Sequence, residues 1–169
     1  ARRTPRACQI ALGAAVQAVK DAGLPGKMED PERSGVLFGS VVAGADMVAQ
    51  GVMTLHNFGP NKISPFMLPT GIPNIPAFMI ALEFQCLGYN STISTACATG
   101  TQSSGEAAEV IRRGAADLII TGGSEALVTD WTLAGFASMK ALPVHYNDAP
   151  ERASRPFDKD REGCVFSEG

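Results

Sequence analysis

Charge is scarce in this sequence. Asp, Glu, Lys and Arg make up 18% of it, below the usual quarter or so, and the net charge is −3. That balance argues against a general nucleic-acid-binding surface and leaves room only for a local basic patch. Only two histidines occur, His56 and His145, far apart. The four cysteines, Cys8, Cys86, Cys97 and Cys164, form no CxxC pair. The spacing of a zinc site is therefore missing. No secretory leader is visible, so the thiols are expected to be reduced and the protein cytoplasmic. An unbroken apolar run is lacking too. The uncharged stretch 63–82 carries Pro65, Pro69, Pro73 and Pro76, which leave too few residues for a membrane helix.

What is present suits a globular domain. The 169 residues are 45% hydrophobic, enough for a sizeable core and too much for disorder. Eighteen glycines and 11 prolines without a period indicate many tight turns. The chain begins inside a helical pattern, lacks an initiator methionine and ends at VFSEG with no terminal element. A fragment of a longer protein, incomplete at both ends, is expected.

The hydrophobic pattern alternates between helix and strand. Helices are expected at 6–23, from Ala45 to about His56, at 75–85, 97–113 and about 130–139. Strands are expected at 34–40, 90–96 and 117–123, with loops at 60–76 and from about 140 to Gly163. Such β-α-β alternation predicts an α/β fold with a parallel or mixed sheet.

The segment STACATG, 94–100, places Cys97 where a strand turns into a helix. The first turn of a helix has unpaired N–H groups and the positive end of the dipole. A thiolate there is stabilised, which suits a nucleophile. Ala96, Ala98 and Gly100 are small and leave room for a substrate carbonyl. The small residues Thr101, Ser103, Ser104 and Gly105 suit a helix buried between sheets. The plainer alternative is a buried cysteine packing as a small hydrophobe.

These residues resemble a known family. STACATG, the run 106–126 (EAAEVIRRGAADLIITGGSEA), GFASMKAL at 135–142 and ASRPFDKDREG at 153–163 are similar to the β-ketoacyl-acyl-carrier-protein synthases of the I/II type. RRTPRACQIAL (2–12), GVLFGSVVAG (35–44) and GPNKISPFMLP (59–69) follow the same family in the same order. The resemblance covers essentially the whole chain. It implies part of the N-terminal half of a thiolase-like fold: a mixed sheet with a buried nucleophile helix, residues 1–169 forming a partial N-terminal domain.

The resemblance further implies a 3-oxoacyl-acyl-carrier-protein synthase of fatty-acid synthesis. Cys97 matches the nucleophile that takes the acyl chain as a thioester, and its N–H matches half of an oxyanion hole. Decarboxylative Claisen condensation with a malonyl-carrier protein follows. Two histidines that promote decarboxylation lie in later motifs that this chain does not reach, and neither His56 nor His145 sits in a matching motif. Val42 matches an acyl-pocket position, Phe136 a residue beside the nucleophile, and Met67 a position reaching across a dimer into the partner's pocket. Arg2, Arg3, Lys62 and Lys140 match positions around the docking entrance for an acidic carrier protein.

Strand 90–96 matches a dimer-forming edge, so a homodimer is implied for the whole protein. No redox cofactor is implied, and no nucleotide-binding fingerprint is present. Cys164 stands where the family usually has an aromatic, and Ser167 where glycine is common. The open alternatives are a catalytically incomplete piece, a carrier-binding partner subunit, or a type II polyketide ketosynthase.

Overall fold

A computed structural model of the chain describes residues 4–169; Arg2 and Arg3 lie outside the described residues. Two compact units are present, one formed by residues up to Glu125 with Gly169, the other by Ala126–Glu168.

The first unit is built on a parallel sheet in the order β2-β1-β3. Its central strand β1, Ser34–Gly39, is buried along its whole length, as a strand covered on both faces must be. It pairs in parallel with β3, Leu118–Gly123, from Ser34 opposite Leu118 to Gly39 opposite Gly123. The edge strand β2 is only Asn90–Ser91.

Side chains alternate across β1 and feed two cores. Val36 and Phe38 join Ala11, Ala15, Val19, Ala77, Ile80 and Phe84 from helices α1, Arg6–Asp21, and α4, Ile75–Phe84. Leu37 faces the opposite way and joins Ala107 and Val110 of helix α5, Thr99–Arg112. Burying a residue such as Leu37 stabilises the fold by about 1.5–3 kcal/mol. Helices α4 and α5 thus cover opposite faces, the placement that two right-handed crossovers running in opposite directions require. Between β1 and α4 lie α2, Ala45–Phe58, a 3-10 turn at Pro60–Lys62 and the short α3, Met67–Gly71.

Several expectations are corrected. The segment 60–76 is partly helical, because Pro60 and Pro76 sit in first turns, where a missing N–H costs nothing. The strand expected over 90–96 is regular only at Asn90–Ser91; past it the Ile93 carbonyl still accepts the Ser40 N–H at 3.1 Å, while the Thr95 N–H bonds the Thr99 side chain, 2.8 Å away. The helix expected from 97 opens as a 3-10 turn, Ala96–Ala98, before α5 begins. That helix is buried on one face only, through Thr99, Ser103, Ala107 and Val110. The three described strands are all parallel, in keeping with the α/β fold and parallel or mixed sheet expected.

The second unit contains α6, Asp130–Ser138, capped by the Thr129 hydroxyl, which accepts the Thr132 N–H. An antiparallel bridge joins Ala126 to Glu168, and the rings of Phe136 and Phe166 meet edge-on with centroids 4.5 Å apart.

Candidate active site

Cys97 is exposed, in the tight turn that opens α5. The residue before it, Ala96, has φ +51°. A side chain rarely adopts that left-handed conformation, which costs on the order of 1–3 kcal/mol. Gln85 and Lys140 share it, but Gln85 ends a helix, where such a turn is ordinary. Ala96 instead aims the chain into a helix, immediately before the thiol. The Thr99 hydroxyl braces this turn by accepting the Thr95 N–H, and Thr99 itself is 6% exposed.

The turn reaches the strand ends because the sheet has no side chains in the way. A Cβ built on Gly39 would stand 2.4 Å from Cγ2 of Thr99 and 2.5 Å from Oγ of Ser103. A Cβ on Gly123 would stand 3.3 Å from Cα of Gly100. These glycines let α5 settle against the carboxyl ends of β1 and β3, the end of a parallel sheet where ligands bind.

A cavity of about 290 Å³ opens at this place. Ala96, Thr99 and Gly100 form one side, and Ser40, Val41 and Glu125 another. The Glu125 carboxylate accepts the Ser40 hydroxyl at 2.9 Å and the Val41 N–H at 2.8 Å. It also accepts the Val42 N–H, shared between its two oxygens at 3.3 and 3.2 Å. Glu125 is absent from the sequence-level candidates. Its partners lie more than 80 residues away and meet it only through the β1–β3 register; the one local signal is an acid directly after an apolar strand.

The other candidates scatter. Val42 is half-buried just beyond the cavity wall, held by Glu125. Met67 is half-buried and rests its thioether where a Gly51 side chain would be. Lys62 is exposed at the end of its 3-10 turn. Phe136 and the exposed Lys140 belong to the second unit. So does His145, whose ring pairs with Glu162 at 2.8 Å. Burial pushes the Glu162 carboxyl up, but hydrogen bonds from the His145 ring and backbone and from the Val144 backbone outweigh it and leave it below the usual range. His56 is exposed at the end of α2.

Cys164 is exposed like Cys97, whereas the other two thiols are buried. Cys8 is buried, and desolvation, aided by the Asp46 charge, pushes it up to about 12. Burial also raises Cys86. Among the described residues, no three His, Cys, Asp or Glu gather as they would around a metal ion.

Cys97 is thus a solvent-facing thiol on a left-handed strand-to-helix turn, beside a cavity at the carboxyl end of a parallel sheet. The family description "Beta-ketoacyl synthase, N-terminal domain" matches residues 1–169, and the chain belongs to that family. It is 41% identical over 160 residues to 3-oxoacyl-[acyl-carrier-protein] synthase 2 of Rhizobium meliloti, covering 94% of this chain and 38% of that one. It is 40% identical to the Vibrio cholerae protein of the same name, covering all of this chain and 41% of that one. The chain thus spans about two fifths of the length of these curated relatives. Among solved structures, a type II polyketide-synthase acyl-carrier protein in complex with its ketosynthase superposes with a TM-score of 0.90 at 29% identity, covering 97% of this chain and 41% of that one. The fold is thiolase-like.

Proposed function

We propose that this chain is the nucleophile-bearing part of a 3-oxoacyl-acyl-carrier-protein synthase of fatty-acid synthesis, acting in the cytoplasm as a homodimer. The observation that carries the reading is the exposed Cys97 on the strained Ala96 turn beside the cavity. Its thiolate attacks the thioester of an acyl-carrier protein, the carrier thiol leaves, and the acyl group stays on sulfur. Exchange of one thioester for another is nearly isoenergetic, and the acyl carbonyl remains electrophilic for a carbon nucleophile. Malonyl-carrier protein then loses CO₂, and its enolate attacks that carbonyl and releases the Cys97 thiolate. The Cys97 N–H serves as one oxyanion donor. Val42, Met67 and Phe136 serve as acyl-pocket residues, and Arg2, Arg3, Lys62 and Lys140 as docking cations for an acidic carrier.

Several features support the assembly. β2 is a sheet edge, α2 exposes Val52, Met53, Leu55 and Phe58, and α4 exposes Phe78 and Leu82. Exposed apolar area of this kind suits a subunit interface. The ketosynthase structure at TM-score 0.90 favours a second reading, a type II polyketide ketosynthase; the relatives at 40–41% identity favour the first.

The test uses the full-length protein with acyl- and malonyl-carrier proteins. The expected result is an acyl adduct on the Cys97 peptide, then CO₂ release and one 3-oxoacyl product. Acyl loading without condensation would overturn the proposal. Repeated unreduced extension would replace it with the polyketide reading.

A further inference from the structure

Three consecutive backbone N–H groups at the end of β1 converge on two side-chain acceptors. Val41 and Val42 donate to the Glu125 carboxylate. Ala43 donates to the Ser40 hydroxyl at 3.1 Å, and that hydroxyl donates to Glu125. Successive N–H groups turned to one point form an anion-binding concavity. In this molecule the chain fills it with its own carboxylate. Ser40 is 2% exposed, so the clamp is not a surface accident. The donors are neutral, and a charged acceptor makes their hydrogen bonds stronger than neutral pairs would be.

The clamp and the cavity share residues. Ser40, Val41 and Glu125 line the same space as Ala96, Thr99 and Gly100, the flanks of Cys97. We propose that Glu125 is a positioning residue that fixes this wall and thereby limits the size of the acyl group held at Cys97. The proposal deepens the acyl-transfer reading and rests on it. Glu125 touches no reacting atom in this role; it acts through the 40–43 turn. Replacing it with Gln keeps the shape but turns one acceptor oxygen into an N–H donor facing other donors. The turn then loses its anchor, and the wall shifts.

The full-length protein and its Glu125→Gln variant are loaded with carrier proteins bearing short, medium and long saturated acyl chains. Acylation of Cys97 is followed by intact mass. The expected result is a change of roughly tenfold in the ratio of kcat/KM between long and short chains, the scale on which pocket walls discriminate alkyl length. A merely structural role would lower every chain length together and leave the ratio alone; that result, or no change at all, overturns the proposal. Ser40→Ala removes one member of the clamp and shifts the ratio the same way by less, so it decides the matter if Glu125→Gln does not fold. A wild-type protein that loads no acyl chain would overturn the acyl-transfer reading itself, which the wild-type control separates from any failure of Glu125.

Discussion

The two ends of the parallel sheet each hold a carboxylate clamp, and the two clamps differ in kind. At the amino end, Arg33 donates through Nε and Nη2 to Asp117 at 2.9 and 2.5 Å, and through Nη1 to the Gly114 carbonyl at 2.8 Å. Both side chains face water. At the carboxyl end, Glu125 is half-buried and held by neutral donors around a cavity. A solvated fork ties the start of β1 to the start of β3. A part-buried clamp lines a cavity wall. The difference teaches that the cavity beside Cys97 forms at the end where glycines let a helix start close in, not at the end where charges are most visible.

The largest expected effect comes from the thiol at the carboxyl end. Cys97→Ala should reduce acyl loading by about a thousandfold or more, as loss of a covalent nucleophile does, with thermal unfolding nearly unchanged because the side chain is exposed. Cys8→Ser should do the reverse. It buries a hydroxyl in place of a thiol that is 1% exposed, costing about 1–3 kcal/mol, while loading continues in the folded protein. Native alkylation at mildly alkaline pH checks the same contrast: Cys97 and Cys164 should label, and Cys8 and Cys86 only after unfolding. Labelling of Cys8 in the native protein would break it.

Next comes the glycine that admits α5. Gly39→Ala forces a methyl group against Thr99 and Ser103. It should destabilise by about 1–3 kcal/mol, as overpacking does, and depress acyl loading, since the Cys97 turn moves with α5. Gly13→Ala, on the exposed side of α1 with nothing within 4 Å, should instead stabilise by about 0.5–1 kcal/mol. Urea unfolding of both variants measures the pair. Equal effects would mean that the close approach at Gly39 is unimportant.

Much of the fold was legible in the residue pattern. Apolar period and terminating glycines gave α1, β1 and β3 to within two residues or so, because these elements bury one face or both against partners of matching period. Residues 92–95 misled, since Thr92, Ile93 and Thr95 are good strand formers. Their fate was decided by the Thr99 hydroxyl and the Ala96 turn, a contact that propensity does not encode. Cys97 stood out as a candidate because a strand-to-helix boundary is a local signal. Glu125 did not. Its meaning arises only when the β1–β3 register sets Gly39 beside Gly123 and brings residues 40–42 to its carboxylate. Lys62 and Lys140 are surface charges, for which a pattern of letters gives no geometry.

The smallest expected effect is at the amino end. The hydrogen bonds from Arg33 hold the Asp117 carboxyl below the usual aspartate range. Because the folded value lies under the unfolded one, the stabilisation is fully present at neutral pH, above the unfolded value. It is lost as pH falls through the depressed folded value. Both groups are exposed, so salt screens the pair. Asp117→Asn should therefore lower Tm only slightly at neutral pH and low salt. The gap from wild type should narrow on acidification below the ordinary aspartate range, and narrow again with added salt. Acyl-chain selectivity should not change at all, in contrast to Glu125→Gln. A gap that resisted both acid and salt would mean that the Arg33 fork acts through geometry rather than charge. The amino-end clamp would then be of the same kind as the one at the carboxyl end.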